Sequence, residues 1–280
     1  MTRDVAVIGG GTMGVGIAYV TAMAGGLVTV VEPDDARGAT FSKVVAETVQ
    51  SSIKRGKLDA GGQALVERIT RIGNVDEIPE GLDVAIETVP ERLELKLNIL
   101  SRIAARRPKM IGSNTSAMSI DRLAEALPDP TAFLGMHFFN PVWSLPLVEL
   151  IRGEKTSETT LETARGFVSW LGKQSLTVRD VPGFATSRLD LIAGLEAMRM
   201  LESGVASAED IDRAAVLAYR HPVGPLRLSD IVGLDVRLDI ARTLQAAHGD
   251  RFAAPQILID MVGKGKLGVK SGQGFFAWPE

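Results

Sequence analysis

Residues 4–32 read DVAVIGGGTMGVGIAYVTAMAGGLVTVVE, and no other stretch constrains the fold as tightly. Val5, Ala6, Val7 and Ile8 form a continuous apolar run, the pattern of a parallel strand covered on both faces. Gly9, Gly11 and Gly14 then fit G-x-G-x-x-G, with Thr12 and Met13 inside the turn. In such a turn the first glycine permits the bend, the second lets the backbone approach a pyrophosphate, and the third packs helix on strand. Ile17, Ala18, Val20 and Thr21 continue a helix whose first N–H groups would face the phosphates. Gly25-Gly26 ends it, Val28 to Val31 forms a second strand, and Glu32 stands at its end.

The motif alone is weak evidence, since a glycine-rich turn occurs in other α/β domains. Here a strand precedes it, a helix follows, and an acid stands 18 residues after the last glycine. That context makes Gly9, Gly11, Thr12, Met13, Gly14 and Glu32 the expected dinucleotide contacts. Glu32 would accept from ribose hydroxyls and repel a 2′-phosphate, and no Arg adjoins it in the sequence, so NAD(H) is expected over NADP(H). Asp34 and Asp35 read instead as a solvated turn and helix N-cap.

The same stretch invites a membrane or signal-peptide reading, because Val5 to Val31 carries no charge. Seven glycines in that span, and Asp4 before it, argue against a spanning helix. A cytoplasmic chain is therefore expected. Lys+Arg 31 against Asp+Glu 34 gives a net charge of −3, and no long basic run appears, so neither nucleic acid nor a membrane surface is an expected partner. The chain has no Cys, which excludes disulfides and thiolate catalysis. Its three His are far apart, so no metal site is expected.

Two further strands end in polar residues. Val84 to Ile86 runs out into Glu87, Glu91 and Lys96, and Met110 to Gly112 into Ser113, Asn114, Thr115 and Ser116. Open α/β sheets bind ligands at the carboxyl ends of their strands, and small polar residues there suit a ribose, a nicotinamide or a substrate. Ser119 reads as the N-cap of the helix that follows. Lys54 and Lys57, in a break within the helical segment from Asp35 to about Arg68, read most simply as a solvated face.

In GMHFFNPVWSLPLVEL, residues 135–150, Phe133 to Phe138 and Leu145 to Ile151 read as neighbouring strands with Asn140-Pro141 as a turn. They would bring His137 and Glu149 together. A carboxylate on one ring nitrogen fixes the tautomer and raises the basicity of the other, which suits proton removal from an alcohol during hydride transfer. The competing reading is a satisfied core histidine. After about residue 180 the pattern becomes helical: Leu189 to Glu202 has a broad apolar face, Ser207 N-caps a second helix, and Asp230 to Leu244 and Ala254 to Val262 give more. His221 reads as structural, in an X-Pro turn, and His248 as exposed near a helix end.

Taken together, VIGGGTMGVGIA, SNTSAMSI, MHFFNP, LVELI, VPGF, GVASAEDID, HPVGPLRLSDIVGLD and LGVKSGQGFF resemble the L-3-hydroxyacyl-CoA dehydrogenase family nearly end to end, in particular its short bacterial 3-hydroxybutyryl-CoA dehydrogenases. The resemblance implies an α/β Rossmann-like amino-terminal domain with a mostly parallel sheet over residues 1–181. An all-α substrate and dimerisation domain over residues 182–280 would follow, hinged at Pro182-Gly183, with a homodimer formed through it. It implies NAD-dependent, reversible oxidation of the 3-hydroxyl of a 3-hydroxyacyl-CoA such as 3-hydroxybutyryl-CoA. His137 would be the general acid/base, Glu149 its orienting partner and Ser116 close to the substrate hydroxyl. Glu91, Lys96 and Asn114 match positions near the nicotinamide or its ribose, and Lys54 and Lys57 a basic segment near the CoA phosphates. Asn140 and Trp143, in the segment after His137, complete the expected substrate contacts. The alternatives are the same chemistry on an acyl-carrier-protein thioester, and a non-catalytic dinucleotide-binding relative.

Three departures stand out. The family's PGFxxNR is PGFATSR here, which puts Ser187 where an active-site Asn is usual, and Ser187 is expected to keep a weaker form of that role by hydrogen bonding a substrate oxygen. NPAPVMKLVEV is NPVWSLPLVEL, so Trp143 and Pro146 are expected to shape the acyl pocket. HPMGPLEL is HPVGPLRL, where Arg227 reverses a charge.

Overall fold

The buried run Val5–Ile8 lies at the centre of a sheet, because both of its faces are covered and every side chain in it is apolar. The computed structural model describes residues 2–56, 58 and 62–279. Lys57 lies outside the described residues. The chain divides into two compact units, Met1–Val181 and Pro182–Glu280.

The first unit runs β1 (Asp4–Ile8), α1 (Thr12–Met23), β2 (Leu27–Val31), α2 (Asp35–Lys54), α3 (Gln63–Val66), β3 (Ile69–Ile72), β4 (Val84–Glu87), α4 (Leu93–Ala105), β5 (Ile111–Ser113), α5 (Ile120–Ala124), β6 (Phe133–Phe138), β7 (Leu147–Arg152), α6 (Glu158–Trp170) and β8 (Gln174–Arg179). The strand order is β3-β2-β1-β4-β5-β6-β7-β8. Every pairing is parallel except β6 with β7. The order reverses at β1 and β4, the crevice where doubly wound sheets bind ligands. The core joins residues of β1, β2, β4, β6 and β7 to the inner faces of α1, α2 and α6. Asp34 and Ser119 cap their helices as read from the sequence, accepting from Arg37 N–H and Arg122 N–H.

Strands β3 and β8 were not legible in the sequence. Both are edge strands, and their residues are half-buried or exposed, so neither shows the apolar run that marks the central strands. Strand β7 begins at Leu147, just after Pro146, which has no N–H to give to a ladder.

The second unit is helical: α7 (Thr186–Glu202), α8 (Ala208–Tyr219), α9 (Pro225–Val232), α10 (Leu234–His248) and α11 (Gln256–Gly263). The helix expected from Asp230 onward is broken at Gly233, whose φ of 103° no helix interior accepts. Ser207 caps α8 by accepting from Asp210 N–H. Arg227 now has a place: its guanidinium lies 4.1 Å from the Phe276 ring centre and 5.2 Å from that of Trp278. His221 is exposed, and His248 Nε2 lies 2.9 Å from the Pro182 carbonyl. Among the described residues no helix is long and apolar enough to cross a membrane.

Candidate active site

Register brings the chemistry-bearing residues to one edge. Ile8 of β1 pairs with Glu87 of β4, and Glu87 pairs with Ser113 of β5. The glycine turn, the Glu87–Glu91 loop and the Ser113–Ser116 loop therefore leave the sheet side by side.

The turn fits a dinucleotide. Gly9 has φ +117°, and a Cβ on Gly14 would lie 1.8 Å from the Gly9 carbonyl oxygen, so the close approach of α1 to β1 requires glycine at both. Around Gly11 a Cβ would meet nothing within 4 Å, which leaves the backbone open on that side. Gly11 N-caps α1 without a side-chain acceptor, and no acid lies in the first turn. Those N–H groups have no intrahelical partner and suit an anion such as a pyrophosphate. Thr88 holds the turn from the neighbouring loop, its hydroxyl donating to the Ile8 and Gly9 carbonyls at 3.0 and 3.1 Å.

Glu32 is buried just past the end of β2, and the surroundings differ from those its sequence neighbours suggest. An arginine does adjoin it: Arg37, in the first turn of α2, places Nε 3.1 Å and Nη2 3.0 Å from Glu32 Oε1. The helix folds back what the sequence separates by five residues. Asp34 N–H also donates to Oε1 and Gly10 N–H to Oε2.

A cavity of about 360 Å³ opens at this edge, lined by Met13, Glu91, Asn114, Ser116, His137 and Asn140 among others. His137 and Glu149 are directly paired across β6 and β7, with Nδ1 3.1 Å from Oε2. Glu149 is fully buried and His137 nearly so, and the Phe139 ring packs 4.4 Å from the imidazole. Asn114 Oδ1 accepts from Phe138 N–H and ties the β5 loop to the strand that carries His137.

The other polar residues are largely spent on one another. Lys96 is buried, and its Nζ lies 2.7 Å from Glu87 Oε1, 3.0 Å from Glu91 Oε2 and 3.1 Å from the Val89 carbonyl. Ser113 donates to Glu87 Oε2 at 2.6 Å, and Thr115 to Glu91 Oε1 at 2.5 Å. Ser116 N–H donates to the same Glu91 oxygen. Burial pushes the Glu91 carboxyl up, but the Lys96 ammonium, the Thr115 hydroxyl and the Ser116 N–H outweigh it and hold the group below the usual carboxylate range. Lys96 thus stands beneath the cavity as the counterion of Glu91, not on the cavity wall.

Trp143 does not line this cavity. It lines a second one of about 290 Å³ with Gly10, Gly11, Thr12, Arg37, Phe41 and others, and packs edge-on against Tyr19. Its neighbour Val142 is buried against Gly16 of α1, where a Cβ would come within 2.6 Å of it. Pro146 is exposed and lines neither. Lys54 is exposed at the end of α2. Ser187 lies half-buried in the first turn of α7, in the helical unit.

The sheet order, the glycine turn and the imidazole-bearing cavity define a dehydrogenase of the doubly wound, dinucleotide-dependent class. Residues 4–181 match the family described as 3-hydroxyacyl-CoA dehydrogenase, NAD binding domain, and residues 183–278 its C-terminal domain. The chain is 37% identical to a 3-hydroxybutyryl-CoA dehydrogenase of Mycobacterium tuberculosis (strain ATCC 25618 / H37Rv), over 99% of this chain and 98% of that one. It is 38% identical to one of Bradyrhizobium diazoefficiens, over 98% and 94%. The crystal structure of (S)-3-hydroxybutyryl-CoA dehydrogenase from Ralstonia eutropha superposes with a TM-score of 0.94 at 37% identity, covering 99% of each chain. The chain belongs to the 3-hydroxyacyl-CoA dehydrogenase family and is an NAD-dependent oxidoreductase.

Proposed function

We propose that this protein interconverts a 3-hydroxyacyl-CoA, such as 3-hydroxybutyryl-CoA, and the 3-oxoacyl-CoA, with His137 as general acid/base and Glu149 as its positioning partner. The observation that carries the reading is the buried Nδ1–Oε2 contact at 3.1 Å, at a cavity that also reaches Met13 of the dinucleotide turn. Bound NAD+ supplies the hydride acceptor. Glu149 fixes the proton on Nδ1, which leaves Nε2 as the base. As hydride leaves C3, Nε2 takes the hydroxyl proton, and Glu149 stabilises the imidazolium that results. In the reducing direction His137 returns that proton to the 3-oxo oxygen. Ser116 and Asn114, on the cavity wall, are the proposed partners of the substrate oxygen and the nicotinamide ribose. Lys54 is the proposed contact for the CoA phosphates.

Steady-state reduction of acetoacetyl-CoA by NADH, compared with the acyl-carrier-protein thioester, tests the reading. Turnover of the CoA ester supports it, preference for the carrier protein corrects the carrier, and turnover of neither rejects it.

A homodimer through the helical unit belongs to the same proposal. Among the described residues Leu189, Val205, Leu217, Tyr219 and Ile231 of that unit are all more than half exposed. Light scattering at the mass of two 29.9 kDa chains supports the dimer, and a monomer rejects it.

A further inference from the structure

Two carboxylates and one ammonium meet beneath the cavity. Glu87 is fully buried and accepts from Val89 N–H at 2.7 Å, Lys96 Nζ at 2.7 Å and Ser113 Oγ at 2.6 Å. All three are donors, so Glu87 serves as an ionised acceptor. Glu91 faces the cavity and shares the same Lys96 ammonium. The cluster therefore carries two negative charges against one positive, a net charge of −1, in a setting partly withdrawn from water. Lys96 is nearly fully buried and already holds three acceptors, so it cannot turn toward a ligand without breaking the cluster.

The cavity's position gives that charge a consequence. Hydride transfer to a carbon beside His137 requires the nicotinamide to lie in the cavity that also contains Glu91. The ring is a cation in the oxidised cofactor and neutral in the reduced one: NAD+ takes two electrons and one hydrogen from C3, and the hydroxyl proton leaves separately. A fixed negative charge there attracts only the oxidised form.

We propose that the Glu87–Lys96–Glu91 cluster binds oxidised nicotinamide in preference to reduced, and so biases the enzyme-bound equilibrium toward hydride delivery onto the 3-oxo group. Glu91 supplies the charge at the cavity wall. Glu87 is a positioning residue: it touches no ligand and acts by anchoring Lys96 and contributing the second buried charge. This inference rests on the dehydrogenase reading above.

The test is the dissociation constants of NAD+ and NADH, measured by calorimetry on the whole protein without substrate. In Glu91→Gln the ratio Kd(NAD+)/Kd(NADH) is expected to rise by roughly tenfold or more, tenfold being the order of one unit charge acting across a few ångströms in bulk water and the effect growing as the site is withdrawn from it. Glu87→Gln is expected to raise it in the same direction by less, because the amide can still accept from Lys96 and donate to Ser113. Glu94→Gln, on the exposed first turn of α4, controls for overall charge and should leave the ratio unchanged. A ratio unmoved in both cluster variants, with both cofactors still bound, overturns the inference and leaves the dehydrogenase reading standing. A shift of equal size in Glu94→Gln also overturns it. A wild-type protein that binds neither form overturns both.

Discussion

His137 and Glu149 are direct cross-strand partners on the one antiparallel pairing of the sheet, and their side chains meet at 3.1 Å. Antiparallel neighbours project side chains to the same face at fixed spacing, so the contact is set by strand register and not by loop conformation. Glu149→Gln keeps the shape and removes the charge that stabilises the imidazolium. We expect kcat for acetoacetyl-CoA reduction to fall by roughly 10²–10⁴-fold, the range of positioned acid/base catalysis, with the KM for NADH little changed. Stopped-flow or steady-state kinetics reads both.

Glu32 is held by Arg37, Asp34 N–H and Gly10 N–H. Glu32→Ala should raise the KM for NADH and narrow the NADH/NADPH preference, since it also frees Arg37 to meet a 2′-phosphate. Arg37→Ala should change the KM for NADH by less than about fivefold, because the Arg37 side chain is 64% exposed and exposed pairs are weak. An unchanged cofactor ratio in Glu32→Ala removes the residue from ribose recognition.

Lys96→Met leaves Glu87 buried without its counterion. Breaking a buried pair from one side costs about 3–5 kcal/mol, so urea denaturation should show a loss of that order. Lys109→Met, from an exposed pair with Asp83, should cost less than about 1 kcal/mol.

Glu91 also gives a pH signature. Its carboxyl is held below the ordinary glutamate value of 4.5 in the folded protein. The stabilisation this gives is present above that value and is lost as the pH falls through the folded pKa. Melting temperatures of wild type and Glu91→Gln should therefore converge on acidification below about pH 4.5 and separate at neutral pH. A gap that widens in acid contradicts the assignment.

Much of this was legible in the sequence, and the limits have physical causes. The central strands announced themselves because both faces are buried, so Val5–Ile8 is apolar throughout and Phe133–Phe138 is interrupted only by His137. The edge strands Ile69–Ile72 and Gln174–Arg179 did not, because exposure erases the pattern. The glycine turn was legible for a steric reason that the backbone enforces at Gly9 and Gly14. Arg37 beside Glu32 was missed because linear adjacency ignores a helix turning back on its own start. Ser113 and Thr115 read as ligand-facing, yet both are fully buried and bonded to Glu87 and Glu91. Trp143 read as part of the acyl pocket; it lines the cavity beside Gly10, Gly11 and Arg37, next to Val142 packed on Gly16. Composition cannot say which member of a polar run faces inward.

His137→Gln separates catalysis by the imidazole from cofactor binding when NADH binding and acetoacetyl-CoA reduction are measured on the same preparation. kcat is expected to fall by roughly 10²–10⁴-fold while Kd for NADH stays within about threefold of wild type. Turnover close to wild type with NADH still bound would contradict it, and His137 would then be a core histidine that lies beside the site without serving it.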